Sequence, residues 1–320
     1  MAPLPFLGVS LASAAAVYGA GIAVGNEYLY FASYTVAQYI VLATAWNILG
    51  GYTGYVNFGT AGFFAVGAYT SVVLHKTMNL PLLIMIPVGG LVCAVLGLAM
   101  GYLTLRLRGV FFAIATLAMA IVLHTLVVNW SFVGGARGAY IIRPREVMFF
   151  ASYSEYLFAV MLLLAALAVA IARWVERSRL GRGLAAIRDD EIAAECSGVP
   201  TLKLKLVATT LSGFLMGIAG APFPYYVSYV DPAGAFNLAY GVNSIAMPLI
   251  GGMSSWVGPL IGALLLGTLQ QVATVTISSA ANLLLVGVLL VVFVTVAPNG
   301  IVGLLQKARG QYGARKKQNG

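Results

Sequence analysis

Three consecutive acidic residues, Asp189, Asp190 and Glu191, lie in the most charged stretch of this sequence. A side-chain oxygen just before a helix accepts hydrogen bonds from the first amides, and the helix dipole stabilises acidic groups there. Gly198 and Pro200 favour the end of the same helix. The spacing predicts a helix of about two turns, which is marginal in water on its own. We therefore expect it to dock on another surface.

The predicted helix has an apolar edge. Ile192 and Cys196 are four residues apart and share one face, and Ala193 and Ala194 add small apolar surface. The surface that receives this edge is either the remainder of the chain or a groove on another protein. A solvated linker is the alternative, which explains the charge but not the helix signals.

The surrounding sequence is typical of a membrane protein. Apolar residues make up 61% and charged residues 8% of the chain, whereas roughly a quarter of a soluble domain is charged. Residues 173–205 hold seven of the 18 Lys and Arg and five of the nine Asp and Glu. The long uncharged intervals elsewhere each have room for a helix of the ~20 residues that cross a bilayer. A β-barrel is excluded because the apolar runs do not alternate with polar residues. We predict an all-α integral membrane protein.

Apolar runs predict about ten transmembrane helices, at 6–25, 29–49, 55–75, 82–105, 110–130, 155–173, 206–226, 236–252, 257–277 and 281–303. The segment at 236–252 is the weakest because it is short and polar. The chain then divides into four regions: N-terminal membrane helices with about six spans (1–172), a cytoplasmic loop (173–205), C-terminal membrane helices with about four spans (206–304) and a basic cytoplasmic tail (305–320).

The basic residues predict the orientation of these spans. Lys and Arg near span ends favour the cytoplasmic side. The side of the charged loop takes 14 of them, including Arg309, Arg315, Lys316 and Lys317 in the tail, and the opposite side takes four. Both termini are therefore predicted to be cytoplasmic. The positive net charge follows from these topology signals, so we do not expect binding to nucleic acid.

Several kinds of chemistry are disfavoured. No predicted span carries an ionisable Asp, Glu, Lys or Arg in its interior, as proton-coupled or ion-coupled carriers usually do. No lysine follows a glycine as an ATP-binding phosphate loop requires. His75 and His124 have no acidic neighbours in sequence, and Cys93 and Cys196 are predicted to be free thiols. We expect no catalytic site and no metal site.

Glycines and small polar residues are concentrated in residues 47–62. Glycine weakens a helix by about 1 kcal/mol relative to alanine, so the cluster favours either a break or close helix packing. A break at membrane depth is tolerated only where protein or a water-filled cavity satisfies its amides. Both interpretations remain open, and the two are compatible.

Four stretches, taken in order, resemble the bacterial branched-chain amino-acid ABC transporter permease family of the hydrophobic amino-acid uptake type. They are GYTGYVNFGTAGFFAVGAYTSVVL, GVFFAIATLAMA, GRGLAAIRDDEIAAECSGVPTLKLKL and MPLIGGMSSWVGPLIGALLLG. The resemblance implies a permease subunit in the bacterial inner membrane, with lipid around it. It also implies a homologous second permease, two cytoplasmic ATPase subunits and a periplasmic substrate-binding protein as partners. ATP and Mg would be bound by those ATPases, with no cofactor in this chain.

The resemblance also implies roles for particular residues. The short helix matches the family's coupling helix, which sits in a groove on the ATPase, and its matching residues are Asp189, Asp190, Glu191, Ala194, Glu195 and Gly198. From the possible break we infer a translocation path that includes Asn47, Thr53, Asn57, Thr60 and Thr116.

The predicted external loop, 134–155, departs from the neutral polar stretch that the family often shows. Its residues Arg137, Arg143 and Arg145 would attract a carboxylate-bearing cargo or contact an acidic binding protein. Urea, short amides and aromatic or carboxylate solutes therefore remain open beside branched-chain amino acids. A stand-alone carrier or channel for a small solute would need no ATPase, and a membrane-bound enzyme or assembly factor is the remaining class.

Overall fold

The computed structural model describes residues 3–24, 26–143, 150–276, 279–296, 300–304 and 307. The described part of the chain is almost entirely helical. Its α-helices are α1 (Pro3–Val24), α2 (Glu27–Thr53), α3 (Thr60–Met78), α4 (Leu82–Thr104), α5 (Val110–Val128), α6 (Tyr153–Arg177), α7 (Arg179–Asp189), α8 (Glu191–Cys196), α9 (Thr201–Gly220), α10 (Phe223–Val227), α11 (Pro232–Ala235), α12 (Leu238–Gly251), α13 (Val257–Thr276) and α14 (Ser279–Val296). Two short strands, β1 (Ala139–Tyr140) and β2 (Tyr229–Val230), pair antiparallel, with Ala139 opposite Val230.

The all-α membrane architecture is confirmed. Six helical segments of the described residues are long and apolar enough to cross a membrane: Pro5–Ile22, Leu82–Thr104, Val110–Val128, Tyr153–Arg177, Thr201–Val227 and Val257–Thr276. The other four predicted spans lie on α2, α3, α12 and α14. The predicted number of ten therefore exceeds the six segments that meet the criterion of length and composition.

Helix α2 forms the centre of the bundle. It buries 20 of its 27 residues, because α6, α9, α12 and α13 surround it. A helix that is apolar on all sides is stable only when other elements cover it in this way. The C-terminal end of α2 is thereby fixed inside the bundle, close to the charged segment.

Close packing of α4 against α9 fixes the start of α9. A Cβ atom added at Gly217 on α9 would lie 2.6 Å from the Cβ atom of Cys93 on α4. A Cβ atom at Gly90 would lie 2.6 Å from Ile218 Cγ2. Small residues allow membrane helices to approach in this way. The same close approach reaches the start of α9, because a Cβ atom added at Gly101 in the last turn of α4 would lie 3.1 Å from Leu206 Cδ2.

The loops and helix ends form two clusters. We call the cluster that holds α8, Arg173 and Glu176 the α8 end, and the cluster that holds β1, β2 and Glu155 the strand end. At the α8 end, the Arg173 guanidinium lies 3.7 Å from the centre of the Phe6 ring, and Glu176 accepts a hydrogen bond of 2.6 Å from the Trp256 amide. At the strand end, the Tyr18 hydroxyl donates to Glu155 over 2.6 Å. Helix α1 passes from Phe6 at the α8 end to Tyr18 at the strand end, whereas α6 passes from Glu155 at the strand end to Arg173 at the α8 end. The two helices therefore run in opposite directions. Arg145, Arg309, Arg315, Lys316 and Lys317 lie outside the described residues.

Candidate functional site

The short helix predicted after the acidic triplet is present as α8. Asp190 is its N-cap, and Asp190 Oδ1 accepts hydrogen bonds from the amides of Ile192 (2.9 Å) and Ala193 (3.0 Å). Gly198 follows the helix with a φ of +82°, a conformation that glycine adopts without the penalty imposed by a Cβ atom. Asp189 instead ends α7 and lies 3.5 Å from Arg188. Only one of the three acidic side chains therefore caps α8.

Glu191, the first residue of α8, enters a compact polar cluster. Its Oε1 atom lies 2.6 Å from Lys205 Nζ, and its Oε2 atom accepts a hydrogen bond of 2.5 Å from the Tyr55 hydroxyl. Lys205 also donates to Tyr55 Oη at 3.1 Å and to the carbonyl of Leu105 at 3.3 Å. These contacts join α8 and α9 to the segment that follows α2.

Burial makes this cluster strong. The Lys205 side chain is 3% exposed and the Glu191 side chain 14%. Charges out of water need both ion pairing and hydrogen bonds to offset their desolvation. Three acceptors surround the Lys205 ammonium, which meets that requirement.

The protonation of Glu191 follows from the same contacts. Partial burial raises the pKa of its carboxyl, but the hydrogen bonds from Lys205 and Tyr55 and the charges of Lys205 and Arg108 outweigh this effect. The pKa of Glu191 therefore lies below its ordinary value. The ion pair contributes fully above the ordinary carboxyl pKa, and its contribution is lost as the pH falls through the lowered pKa.

The two sides of α8 differ in exposure. Ala194 is buried, and Glu195 Oε1 accepts a hydrogen bond of 2.6 Å from Thr201 at the start of α9. On the opposite side Ile192 is 60% exposed and Cys196 is exposed. The chain itself holds one side of α8, and the apolar edge predicted from the sequence faces outward.

The break predicted within residues 47–62 is also present. Helix α2 ends at Thr53, residues 54–59 are not helical, and α3 begins at Thr60. Gly54 turns the chain with a φ of +77°. Close packing coexists with the break, because a Cβ atom added at Gly62 would lie 3.2 Å from Ala120 Cα.

Polar side chains hold this break from several directions. Asn57 Oδ1 accepts a hydrogen bond of 2.7 Å from the Gly59 amide. Thr116 Oγ1, on α5, accepts one of 3.1 Å from the Phe58 amide. The Trp46 indole donates over 2.8 Å to the carbonyl of Asn57. The protein itself thus satisfies these polar groups of the break.

The predicted path residues are all buried. Thr53, Asn57 and Thr116 make hydrogen bonds within or onto the break. Among the described residues, Thr60 Oγ1 has no hydrogen-bond partner, and neither does Asn57 Nδ2. Asn47 lies on α2 next to Gly51, where an added Cβ atom would collide with the Asn47 side chain. The structure brings Thr53, Asn57, Thr60 and Thr116 around one break, whereas Asn47 lies within α2 before it. Their contact with a solute stays a prediction.

Comparison with known proteins identifies the family. Residues 28–294 match the family described as branched-chain amino acid transport system / permease component. The chain belongs to this permease family.

Related permeases cover most of the chain. It is 28% identical over 289 residues to the high-affinity branched-chain amino acid transport system permease protein LivM of Escherichia coli K12, covering 82% of this chain and 67% of the relative. It is 24% identical over 269 residues to a probable branched-chain amino acid transport permease protein LivH of Methanocaldococcus jannaschii, covering 79% and 84%. The ribose import permease protein RbsC of E. coli K12 is 33% identical over 111 residues, 32% of this chain and 34% of the relative. No solved structure matches the permease.

Family membership places the chain among multi-pass membrane transport permeases rather than enzymes. Within the described residues, no group of three or more His, Cys, Asp or Glu could hold a metal ion. Cys93 is buried and Cys196 exposed, both as free thiols. His75 lies 3.0 Å from the Tyr225 hydroxyl through its Nδ1 atom, and the His124 ring meets Phe236 edge-on.

At the strand end of the permease, Arg143 binds the protein's own backbone. Its Nε atom donates over 2.6 Å to the carbonyl of Tyr225, and its Nη2 atom donates to the carbonyl of Tyr226. The Tyr226 ring stacks 4.2 Å from each of the rings of Phe31 and Tyr34. Arg143 therefore ties the chain before α6 to the end of α10, and these two nitrogens are already occupied.

Sequence reasoning missed the roles of Tyr55 and Lys205. The sequence alone places Lys205 in the charged loop, yet the residue lies in the second turn of α9 and is buried. One signal was available, because Lys205, Thr209 and Ser212 recur at helical spacing and share the buried face of α9. For Tyr55 the sequence carries no local signal, since its partners are 136 and 150 residues away.

Proposed function

We propose that this permease is a membrane subunit of an ATP-binding-cassette importer and that α8 docks on a cytoplasmic ATPase subunit. The observation that carries the proposal is the two-sided environment of α8. Glu191 ties one side to α9 through Lys205 and Ala194 on that side is buried, while Ile192 and Cys196 face outward. An apolar edge held rigidly in this way is a preformed surface for a groove on a partner.

The structure refines the proposed roles of the six coupling residues. The exposed residues Ile192 and Cys196, with Gly198 behind them, would contact the ATPase. Glu191 and Ala194 would position α8 instead of touching the partner, because their contacts lie within this chain. Asp190 acts through its capping bonds, and Glu195 through its bond to Thr201. Asp189, which is 75% exposed at its side chain, remains available to a basic residue of the ATPase.

The orientation of the chain follows from its charges. Arg106, Arg108 and the basic residues of 173–205 belong to the α8 end, and excess Lys and Arg mark the cytoplasmic side. Phe6 lies at that end beside Arg173, and so does Gly300, where an added Cβ atom would lie 2.5 Å from the Gly252 amide nitrogen. We infer a plasma-membrane protein with both termini in the cytoplasm.

The proposed cargo is a branched-chain or related amino acid that a periplasmic binding protein delivers. Support comes from the relatives named for branched-chain amino acids. The position of Arg143 in the predicted external loop leaves other carboxylate-bearing solutes open, but two of its nitrogens bind backbone carbonyls. That contact weakens the case for a different cargo.

In this mechanism the ATPases bind ATP and Mg, and their closure moves α8. A homologous second permease completes the transmembrane pathway, which we place beside Asn47 and the break that holds Thr53, Asn57, Thr60 and Thr116. ATP hydrolysis can drive transport only if the ATPase contacts α8 differently in the inward-open and outward-open states of the permease. Here the rigid attachment of α8 is what passes such a difference into the membrane helices.

The test combines co-purification with transport. The tagged permease is expressed with its partner subunits, extracted gently, and assayed for bound ATPase and for ATP-driven leucine uptake in proteoliposomes. Ile192→Asp places a charge on the outward edge and should remove the ATPase and the uptake. Arg182→Ala changes an exposed residue of α7 and should remove neither. A permease that purifies alone and carries solute without ATP overturns the proposal in favour of a stand-alone carrier.

A further inference from the structure

We propose that Tyr55, Glu191 and Lys205 form a relay through which α8 sets the position of the break between α2 and α3. The inference rests on the proposed function, because it assumes that a partner moves α8. It adds positioning residues to that function: none of the three needs to touch the solute or the ATPase. The relay would couple movement at the docking surface to the segment that carries Asn57 and adjoins Thr116.

The Tyr55 hydroxyl is the central atom of the relay. It donates to Glu191 Oε2 at 2.5 Å and accepts from Lys205 Nζ at 3.1 Å. Tyr55 is the second residue of the non-helical segment 54–59, so its backbone belongs to the break itself. One side chain thus joins the first residue of α8 to the break.

The contacts around Tyr55 leave it little independent movement. Its ring meets the buried Phe112 ring edge-on at 5.1 Å, and Lys205 Nζ lies 4.6 Å from the ring centre. Hydrogen bonds to ionised groups are about twice as strong as neutral ones and are strengthened where water is excluded. Displacement of Glu191 therefore either pulls Tyr55 along or breaks a strong buried contact.

The far half of the break is tied to a different helix. Three residues after Tyr55, the Phe58 amide donates to Thr116 Oγ1 on α5 at 3.1 Å. Asn57 Oδ1 accepts a hydrogen bond from the Gly59 amide, which stabilises the turn around Phe58. A shift of Tyr55 is thus opposed by an anchor on α5. The segment is attached to α8 at one end and to α5 at the other, so a movement of α8 relative to α5 would act on the break between them.

The relay is tested by removing one oxygen atom. Tyr55→Phe keeps the ring and deletes both hydrogen bonds of the hydroxyl. The matched control is Tyr52→Phe, since the Tyr52 hydroxyl also lies at the α8 end but donates to Ala172 and Glu176 at 3.4 Å, not to α8. The complete complex is reconstituted with saturating leucine-loaded binding protein. Leucine uptake and ATP hydrolysis are measured together, and bound ATPase and thermal midpoint are recorded for each variant.

We expect Tyr55→Phe to keep its ATPase subunits and to hydrolyse ATP while transporting about tenfold less solute per ATP. Tyr52→Phe should keep the original ratio. A purely structural role would lower the amount of folded complex without changing this ratio. An unchanged ratio in Tyr55→Phe overturns the relay but not the proposed function. Failure of the unmodified permease to retain an ATPase overturns the proposed function itself.

A second variant keeps the test decisive if Tyr55→Phe does not fold. Glu191→Gln keeps the shape of the side chain but removes the charge and leaves one acceptor oxygen, so only one of the hydrogen bonds from Tyr55 and Lys205 is kept. The thermal midpoint separates its loss of stability from a change in the ratio of uptake to hydrolysis. The variant should lower this ratio by a smaller factor. Combining it with Thr116→Val should lower the ratio by less than the product of the two separate effects, because both act on one mechanical link. An unchanged ratio in Glu191→Gln, or independent effects in the pair, overturns the relay.

Discussion

Lys205 Nζ and Glu191 Oε1 lie 2.6 Å apart, and the pair joins a membrane helix to a helix of only six residues. Both side chains are largely withdrawn from water. Removing one partner of a buried ion pair leaves an uncompensated charge, which destabilises a protein by about 3–5 kcal/mol. The attachment of α8 therefore depends on this pair more than on the intrinsic stability of so short a helix.

We predict that Lys205→Met destabilises the permease by about 1–3 kcal/mol, less than for a fully uncompensated buried charge, because Glu191 keeps its hydrogen bond from Tyr55 and the charge of Arg108 at 3.8 Å. Thermal unfolding of the detergent-solubilised protein measures the effect. Lys203→Met, two residues earlier and exposed, is the matched control. The double change Glu191→Leu with Lys205→Met should recover much of the loss. Equal unfolding midpoints for Lys203→Met and Lys205→Met would contradict the prediction.

Substitution of Gly198 tests whether the backbone conformation at the end of α8 is important. Its φ is +82°, and an added Cβ atom would meet nothing within 4 Å. Gly198→Ala should therefore cost about 1–2 kcal/mol through conformation alone and reduce ATP-driven uptake. Gly198→Asn should be milder, because asparagine tolerates the left-handed region. The measurement is uptake in proteoliposomes, and equal uptake by the Ala and Asn variants would show that the backbone conformation is unimportant.

Local signals explain which features the sequence predicted. The capping oxygen of Asp190 and the glycine at 198 act on adjacent residues, so the limits of α8 were predictable. Hydropathy located helices at all ten predicted spans, although six segments meet the crossing criterion. The burial of Lys205 was not predictable from hydropathy, because a lysine next to an apolar run is normally interpreted as an interfacial charge. Its contact with Tyr55 spans 150 residues of sequence and depends on how α2 and α9 pack.

The break between α2 and α3 makes a prediction for Thr116. Thr116→Val has nearly the same shape but leaves the Phe58 amide without its acceptor, at a cost of about 1–3 kcal/mol. We expect slower uptake, because the break loses its anchor on α5. Thr125→Val on the same helix is the control, since the Thr125 hydroxyl donates to the Ile121 carbonyl one turn earlier and not to the break. Uptake by Thr116→Val at the unmodified rate would show that Thr116 does not anchor the break.

Substitution of Arg143 distinguishes a structural role of this side chain from a role in attracting cargo. Arg143→Ala loses two hydrogen bonds to the carbonyls of Tyr225 and Tyr226, so we expect a lower thermal midpoint. The ranking of competing solutes in uptake assays should not change. Arg137→Ala, at an exposed side chain, should change neither quantity. A stable Arg143→Ala protein with altered preference for carboxylate-bearing solutes would show that Arg143 selects cargo.

Cys196 provides the most direct test of the central claim, because α8 carries an exposed native thiol and Cys93 is buried. The rate of maleimide labelling at Cys196 is measured in membranes with and without the ATPase subunits, with Cys196→Ser reporting the background. Docking of α8 predicts that bound ATPase slows labelling at least about tenfold, as burial of the outward edge removes the thiol from solvent. Labelling at the same rate while the ATPase is demonstrably bound would contradict the docking of α8.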